Sequence, residues 1–185
     1  MLIPSDADFD LAVRKLETAG FRQTPWSYAT VDPQRLEGDE ELQRIHQAAI
    51  PKYIMLDNNS VRFQFPRSKL YHTKVVLLRS AYVEMQPPTN PTSMRRFTCR
   101  KHVYYPDKTL LLESFIKTLL KTPMGTWRSS LTTWAICYVY SMLGVEDSAL
   151  DFCGDEKVIE WFNENIRRST GGIDRTTVTK RFGRA

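Results

Sequence analysis

The sequence predicts an α+β fold, and three observations carry that prediction. Val61, Phe63 and Phe65 alternate with Arg62 and Gln64, the period-two pattern of a half-buried strand. Further strand-like runs crowd into the same middle third of the chain. After them come three apolar stripes at helical spacing, joined by short connections. Strands gathered before helices, rather than alternating with them, favour a small mixed sheet and a C-terminal layer of helices.

In chain order, Ser5 and Asp8 form a loose capping box. Phe9, Ala12, Val13, Leu16 and Ala19 then recur at helical spacing, and Gly20 suits the position just past a helix end. A first helix is therefore expected over about residues 6–19. Residues 21–31, with Trp26, Tyr28 and Val31, read as extended up to Asp32-Pro33. Residues 40–49 read as a short helix closed by Pro51. Residues 74–83 hold Val75-Val76-Leu77-Leu78, a run suited to burial on both faces. Three prolines make a loop of residues 86–92. Phe97, Cys99, Val103 and Tyr105 are expected on one strand face, interrupted by Lys101.

The helical stripes are Leu111, Leu112, Phe115, Ile116 and Leu119; then Leu131, Trp134, Ala135, Tyr138, Val139 and Met142, ending near Gly144; then Val158, Trp161, Phe162 and Ile166. Most of Trp127, Trp134, Trp161, Tyr138 and Tyr140 are expected in the core.

The organisation follows from composition. A 185-residue chain with 42% apolar and 25% charged residues buries a core without disulfides and is not a disordered chain. The longest apolar run, residues 134–145, is too short to span a bilayer, so no membrane association is expected. Pro4 and three nearby aspartates predict no secretory leader. Three unpatterned cysteines, Cys99, Cys137 and Cys153, point to a reducing compartment, cytoplasmic or nuclear. Cys137 on its apolar stripe reads as a buried, inert thiol. These features exclude a membrane span, a disulfide scaffold and a fibre.

The net charge of +5 is unevenly placed. Arg167, Arg168, Arg175, Lys180, Arg181 and Arg184 face one acid, Asp174. Of 26 bases and 21 acids in all, 20 and 20 are left for residues 1–166, which are neutral. A single α+β domain over residues 1–168 and a basic tail over 169–185 are expected, hinged at Ser169-Thr170-Gly171-Gly172. Such a tail attracts nucleic acid weakly and without sequence preference.

No Gly-x-Ser-x-Gly, P-loop or Gly-x-Gly-x-x-Gly motif occurs. Asp6 and Asp8 have the Asp-x-Asp spacing of two-metal phosphoryl transfer. At a helix start, however, their side chains diverge and favour the helix dipole, so a capping role is expected. Cys99-x-x-His102 lacks the second ligand pair of a structural zinc site. No metal and no cofactor are expected. The constellation that can bind is Arg62, His72, Lys74, Arg79 and Tyr82, all on or beside the two best strands. Projecting from one sheet face, they would line an anion or nucleotide pocket.

The stretch Leu2-Ile3-Pro4, Asp6 to Asp8, then Ala12, Leu16, Ala19-Gly20-Phe21 resembles a recurring pattern of nucleotidyltransferase-fold proteins. Val75 to Leu78, Tyr105-Pro106 and Leu110-Leu111-Leu112 are similar to that family's third strand and following helix. The chain also resembles small fungal proteins of nucleotidyltransferase-like type. The resemblance implies a mixed sheet backed by helices. It also implies a member lacking the family's N-terminal catalytic strand and glycine turn, because the match begins at Leu2. The third family acid has no counterpart in Lys74-Val75-Val76-Leu77-Leu78-Arg79. The expected function is thus a noncatalytic nucleotidyltransferase-like domain that binds a small ligand or a protein partner. Two alternatives stand beside it: a metal-independent enzyme of specialised metabolism using an aromatic pocket with His72 or Tyr82, and a nucleic-acid accessory protein acting through its tail.

Overall fold

A computed structural model of the chain describes residues 2–24, 36–66, 74–89, 91–101 and 103–167. The expected tail, Trp26, Tyr28, His72 and His102 lie outside the described residues. Small antiparallel sheets and several helices make the fold α+β, as the pattern predicts. The chain separates into two compact units, Met1–Pro87 with Met124–Trp127, and Pro88–Pro123 with Arg128–Ala185. No helix among the described residues is long and apolar enough to cross a membrane.

The first unit is built on a three-stranded sheet. Helix α1 spans Phe9–Thr18. It starts later than expected because residues 5–8 form their own turn: the Asp8 N–H donates to Ser5 Oγ (3.1 Å) and the Ser5 hydroxyl donates to Asp8 Oδ2 (2.6 Å). Its end is a Schellman motif. The Gly20 N–H donates to the Glu17 carbonyl and the Phe21 N–H to the Leu16 carbonyl, with Gly20 at φ +86°.

Strands β1 (Arg22–Gln23), β2 (Ser60–Gln64) and β3 (Lys74–Leu78) lie in that order, each pair antiparallel. Leu2 adds a single parallel bridge on the outer edge of β3, beside Leu77. One sheet face carries Val61, Phe63, Val75 and Leu77, which pack with Phe9, Ala12, Val13, Leu16 and Phe21 into a core. Helix α2 covers Glu40–Ala49, with the Asp39 carboxylate accepting from the Leu42 N–H. Pro51 does not close it. Pro51 sits in the first turn of a 3₁₀ helix, Ile50–Tyr53, where its missing N–H is tolerated, and the chain runs on into α3, Ile54–Asn58.

The second unit opens with α4 (Pro91–Met94) and a hairpin of β4 (Phe97–Arg100) and β5 (Val103–Pro106). This corrects the single strand face expected for Phe97, Cys99, Val103 and Tyr105. Lys101 turns the chain at φ +49°, and the register pairs Cys99 with Tyr104 and Thr98 with Tyr105. Phe97 and Cys99 therefore share a face with Tyr104, while Val103 and Tyr105 point the other way.

Helix α5, Lys108–Lys121, is capped by the Asp107 carboxylate, which accepts from the Leu110 N–H (2.6 Å). Its stripe of Leu112, Ile116 and Leu119 is fully buried, as expected. Helix α6 (Thr126–Thr133) continues directly into a π-helical segment, Trp134–Met142, and α7 follows over Glu156–Asn165. The i→i+5 bonds appear as Leu143 N–H to the Tyr138 carbonyl and Val145 N–H to the Tyr140 carbonyl. This looser winding buries Ala135, Val139 and Tyr140 but turns Tyr138 (50% exposed) and Met142 (76%) to solvent. It also exposes Cys137, which was expected to be buried. Trp127, Trp161 and Tyr140 are buried as expected, while Trp134 is half-buried against Phe115, edge to face.

Candidate functional site

The second face of the three-stranded sheet carries the site. On β2 the period-two pattern puts Ser60, Arg62 and Gln64 on the side away from α1. The register sets Gln64 opposite Lys74, Arg62 opposite Val76 and Ser60 opposite Leu78. On the other flank Arg22 lies opposite Gln64, and the Thr24 N–H donates to the Arg62 carbonyl (2.8 Å). Thr24, Ser60, Arg62 and Lys74 therefore share one face.

Arg62 is only 8% exposed, because α3 precedes β2 directly and lays Asp57 against the sheet. Arg62 Nη1 donates to Asp57 Oδ1 in a largely buried ion pair. Lys74 opens β3 on the same face. Burial pushes its pKa down, and the nearby Arg62 charge adds to the effect. Two cations thus share this face with Asp57. Among the described residues, Thr24 Oγ1, Ser60 Oγ and Arg62 Nε on this face are buried without a hydrogen-bond partner, as are His46 Nε2 and Ser80 Oγ elsewhere.

The remaining expected site residues point elsewhere. Arg79 follows Leu77 by two positions and faces α1, with its guanidinium 4.2 Å from the Phe9 ring centroid. Tyr82 sits in the turn after β3, and its hydroxyl accepts from the Trp127 indole N–H (2.6 Å), with Trp127 also stacked obliquely on Tyr53. His72 lies outside the described residues. Of the five, Arg62 and Lys74 come together.

The acids of the Asp-x-Asp motif are taken up locally, though not as helix caps. Asp6 Oδ2 accepts from the Ala81 N–H (3.1 Å), which ties the segment before α1 to the turn after β3. Asp8 is held by Ser5. Among the described residues, no group of three or more histidines, cysteines or acids is placed to hold a metal ion.

Comparison with protein-family models, curated proteins and solved structures finds no match to this chain.

Sequence reasoning missed Thr24, Ser60 and Asp57. Ser60 was accessible, since it is two residues before Arg62 on the same strand. Thr24 needed the β1–β2 register, and Asp57 needed the angle at which α3 meets β2; neither leaves a local signal.

Proposed function

We propose that this chain is a noncatalytic nucleotidyltransferase-like binding domain that takes an anionic small molecule on the Arg62 and Lys74 face of its sheet. The observation that carries the reading is the shared face itself: Arg62 and Lys74 stand on one face of adjacent strands, with Asp57 beside Arg62. A guanidinium and an ammonium on adjacent strands recognise anions by charge and by directed N–H donors. The nucleotidyltransferase-like character rests on the residue resemblance of the Leu2 to Phe21 stretch. The noncatalytic character rests on the use already made of Asp6 and Asp8, which are bonded to Ala81 and Ser5.

Two measurements test this. Nucleoside phosphates and dicarboxylates should raise the melting temperature of the full chain, and Lys74→Met should remove most of that rise. Incubation with labelled nucleoside triphosphates and Mg²⁺ or Mn²⁺ should leave no label on protein, RNA or small acceptors. Metal-dependent transfer abolished by Asp6→Ala or Asp8→Ala would overturn the reading, as would a melting temperature indifferent to every anion.

A further inference from the structure

The hairpin of the second unit is a sheet of two strands among the described residues, and its ladder ends at β4. Two-stranded ribbons are marginal by themselves, and a third strand or a covering layer normally completes them. The register pairs Phe97 with Pro106, Thr98 with Tyr105, Cys99 with Tyr104 and Arg100 with Val103. The Asp107 N–H donates to the Arg96 carbonyl, and Pro106 has no N–H to exchange. Bonded pairs alternate along an antiparallel ladder, so Thr98 and Arg100 turn their backbone groups inward to β5. Phe97 and Cys99 turn theirs outward, and beyond the hairpin no hydrogen bond reaches them among the described residues.

The two edges differ. On β5 the outward positions are Tyr104 and Pro106, and the proline leaves that edge one donor short. On β4 both outward residues carry an N–H and a carbonyl, with Cys99 exposed and Phe97 half-buried. This is the edge that can accept another strand.

Charge selects which strand. Arg95, Arg100 and Lys101 are exposed, and their side chains make no hydrogen bond or ion pair among the described residues. Arg96, by contrast, is held by Asp107 and Glu113. Arg100 shares one hairpin face with Thr98, Val103 and Tyr105, and Phe97 and Cys99 share the other with Tyr104. A second copy is a poor occupant. Antiparallel pairing of β4 with itself, centred on the strand, would bring Arg95 and Arg96 of one copy beside Arg100 and Lys101 of the other. An acidic strand has the complementary charge.

We propose that the outer edge of β4 takes an extended acidic segment of a protein partner, added as a third strand. Its side chains alternate, with acids on the Arg100 face and apolar groups on the face of Phe97 and Tyr104. This surface does not depend on the anion-binding reading of the first unit.

The test uses the full chain and a labelled, end-blocked peptide of alternating glutamate and valine. Fluorescence anisotropy should show saturable binding that weakens as salt rises. Amide hydrogen exchange should slow at Phe97 and Cys99 in the complex and stay unchanged at Tyr104. Arg100→Glu turns an attraction into a repulsion and should weaken binding at least about tenfold. Cys99→Pro removes one outward N–H at an edge position that tolerates proline, and should weaken it by a similar factor. The same peptide N-methylated at its valines, the residues opposite Phe97 and Cys99, removes the ladder bonds without altering the protein. It should also bind at least about tenfold more weakly.

Absence of binding by the glutamate–valine peptide would overturn the proposal. Equal binding of a lysine–valine peptide would overturn the choice of an acidic partner. Undiminished binding of the N-methylated peptide would show charge attraction without an added strand, and slowed exchange at Tyr104 in place of Phe97 and Cys99 would assign the wrong edge; either result would overturn it. So would Arg100-dependent binding of a single-stranded oligonucleotide by the hairpin where the peptide fails, which would make the hairpin a nucleic-acid surface.

Discussion

Glu113 on α5 ties the second unit's hairpin to its helices. It accepts from Arg96 Nη1 (3.0 Å) and Lys117 Nζ (2.7 Å), while Arg96 Nε also reaches Asp107 (3.3 Å). Burial pushes the Glu113 pKa up, but hydrogen bonds and charge from Lys117 and Arg96 outweigh it and hold the carboxyl below its ordinary value. The sign of the pH dependence follows. A carboxyl with a depressed folded pKa adds stability above the ordinary carboxylate range and loses it as pH falls through the lowered value. For Lys117, burial lowers the pKa, but the Glu113 partner, with Cys153 and Asp155 nearby, raises it overall. Its contribution is therefore lost only at alkaline pH, above the ordinary lysine value. Glu113→Gln should cost about 1–2 kcal/mol at neutral pH, as partly exposed charged hydrogen bonds are removed. Urea unfolding followed from neutral pH to pH 3 should show that difference shrinking, and a constant difference would mean that the charge of Glu113 is not what binds the hairpin. At this scale the sequence is least legible. Asp107 capping α5 continues a local pattern, but the partner of Asp6 lies 75 residues away at Ala81, and the burial of Arg62 depends on α3 rather than on β2 itself.

Elements are more legible because their periodicity is local. Helices α2, α5 and α7 appear close to where the residue pattern puts them, and Gly20 and Gly144 end their helices with positive φ. The departures are also physical. A stripe at three- and four-residue spacing assumes an α-helix, and nothing in Trp134–Met142 announces that the winding loosens there. The hairpin was hidden because its turn is at Lys101 rather than at an Asn-Gly or Gly pair. The π segment leads to a graded prediction for the tryptophans. Trp161 is buried in α7, and Trp161→Ala should cost about 3–5 kcal/mol. Trp134 is half-buried, with one face against Phe115, and Trp134→Ala should cost roughly 2 kcal/mol. Denaturant midpoints read by far-ultraviolet circular dichroism compare them. Equal or reversed costs would mean that the stripe is wound as an ordinary α-helix and that Trp134 is a core residue.

For the whole molecule, the order of elements already marks the fold class, since strands cluster before the long helices. Charge is the other property that belongs to this scale. Residues 1–166 carry 20 bases and 20 acids, so the net +5 belongs entirely to residues 167–185. Arg96 illustrates how the body's bases are spent, since Asp107 and Glu113 both hold it. Any binding to nucleic acid should therefore be borne by the tail, weak and indifferent to sequence. Each phosphate contact adds roughly 0.9 to the salt slope on duplex DNA. Arg167 already pairs with Asp151 at 2.7 Å, which leaves five other tail bases to engage phosphates. Affinity should thus fade steeply between low and physiological salt. Deleting residues 171–185 removes Arg175, Lys180, Arg181 and Arg184, four of the six bases, and should abolish most of the binding. The melting temperature should hold, because the last apolar stripe ends at the buried Ile166. Duplex affinity and melting temperature, each measured on the full and the shortened chain, decide the matter. A lower melting temperature on deletion would assign Ile173, Val178 or Phe182 a structural role. Undiminished, sequence-selective binding by the shortened chain would move the nucleic-acid site to the exposed bases of the hairpin, Arg95, Arg100 and Lys101.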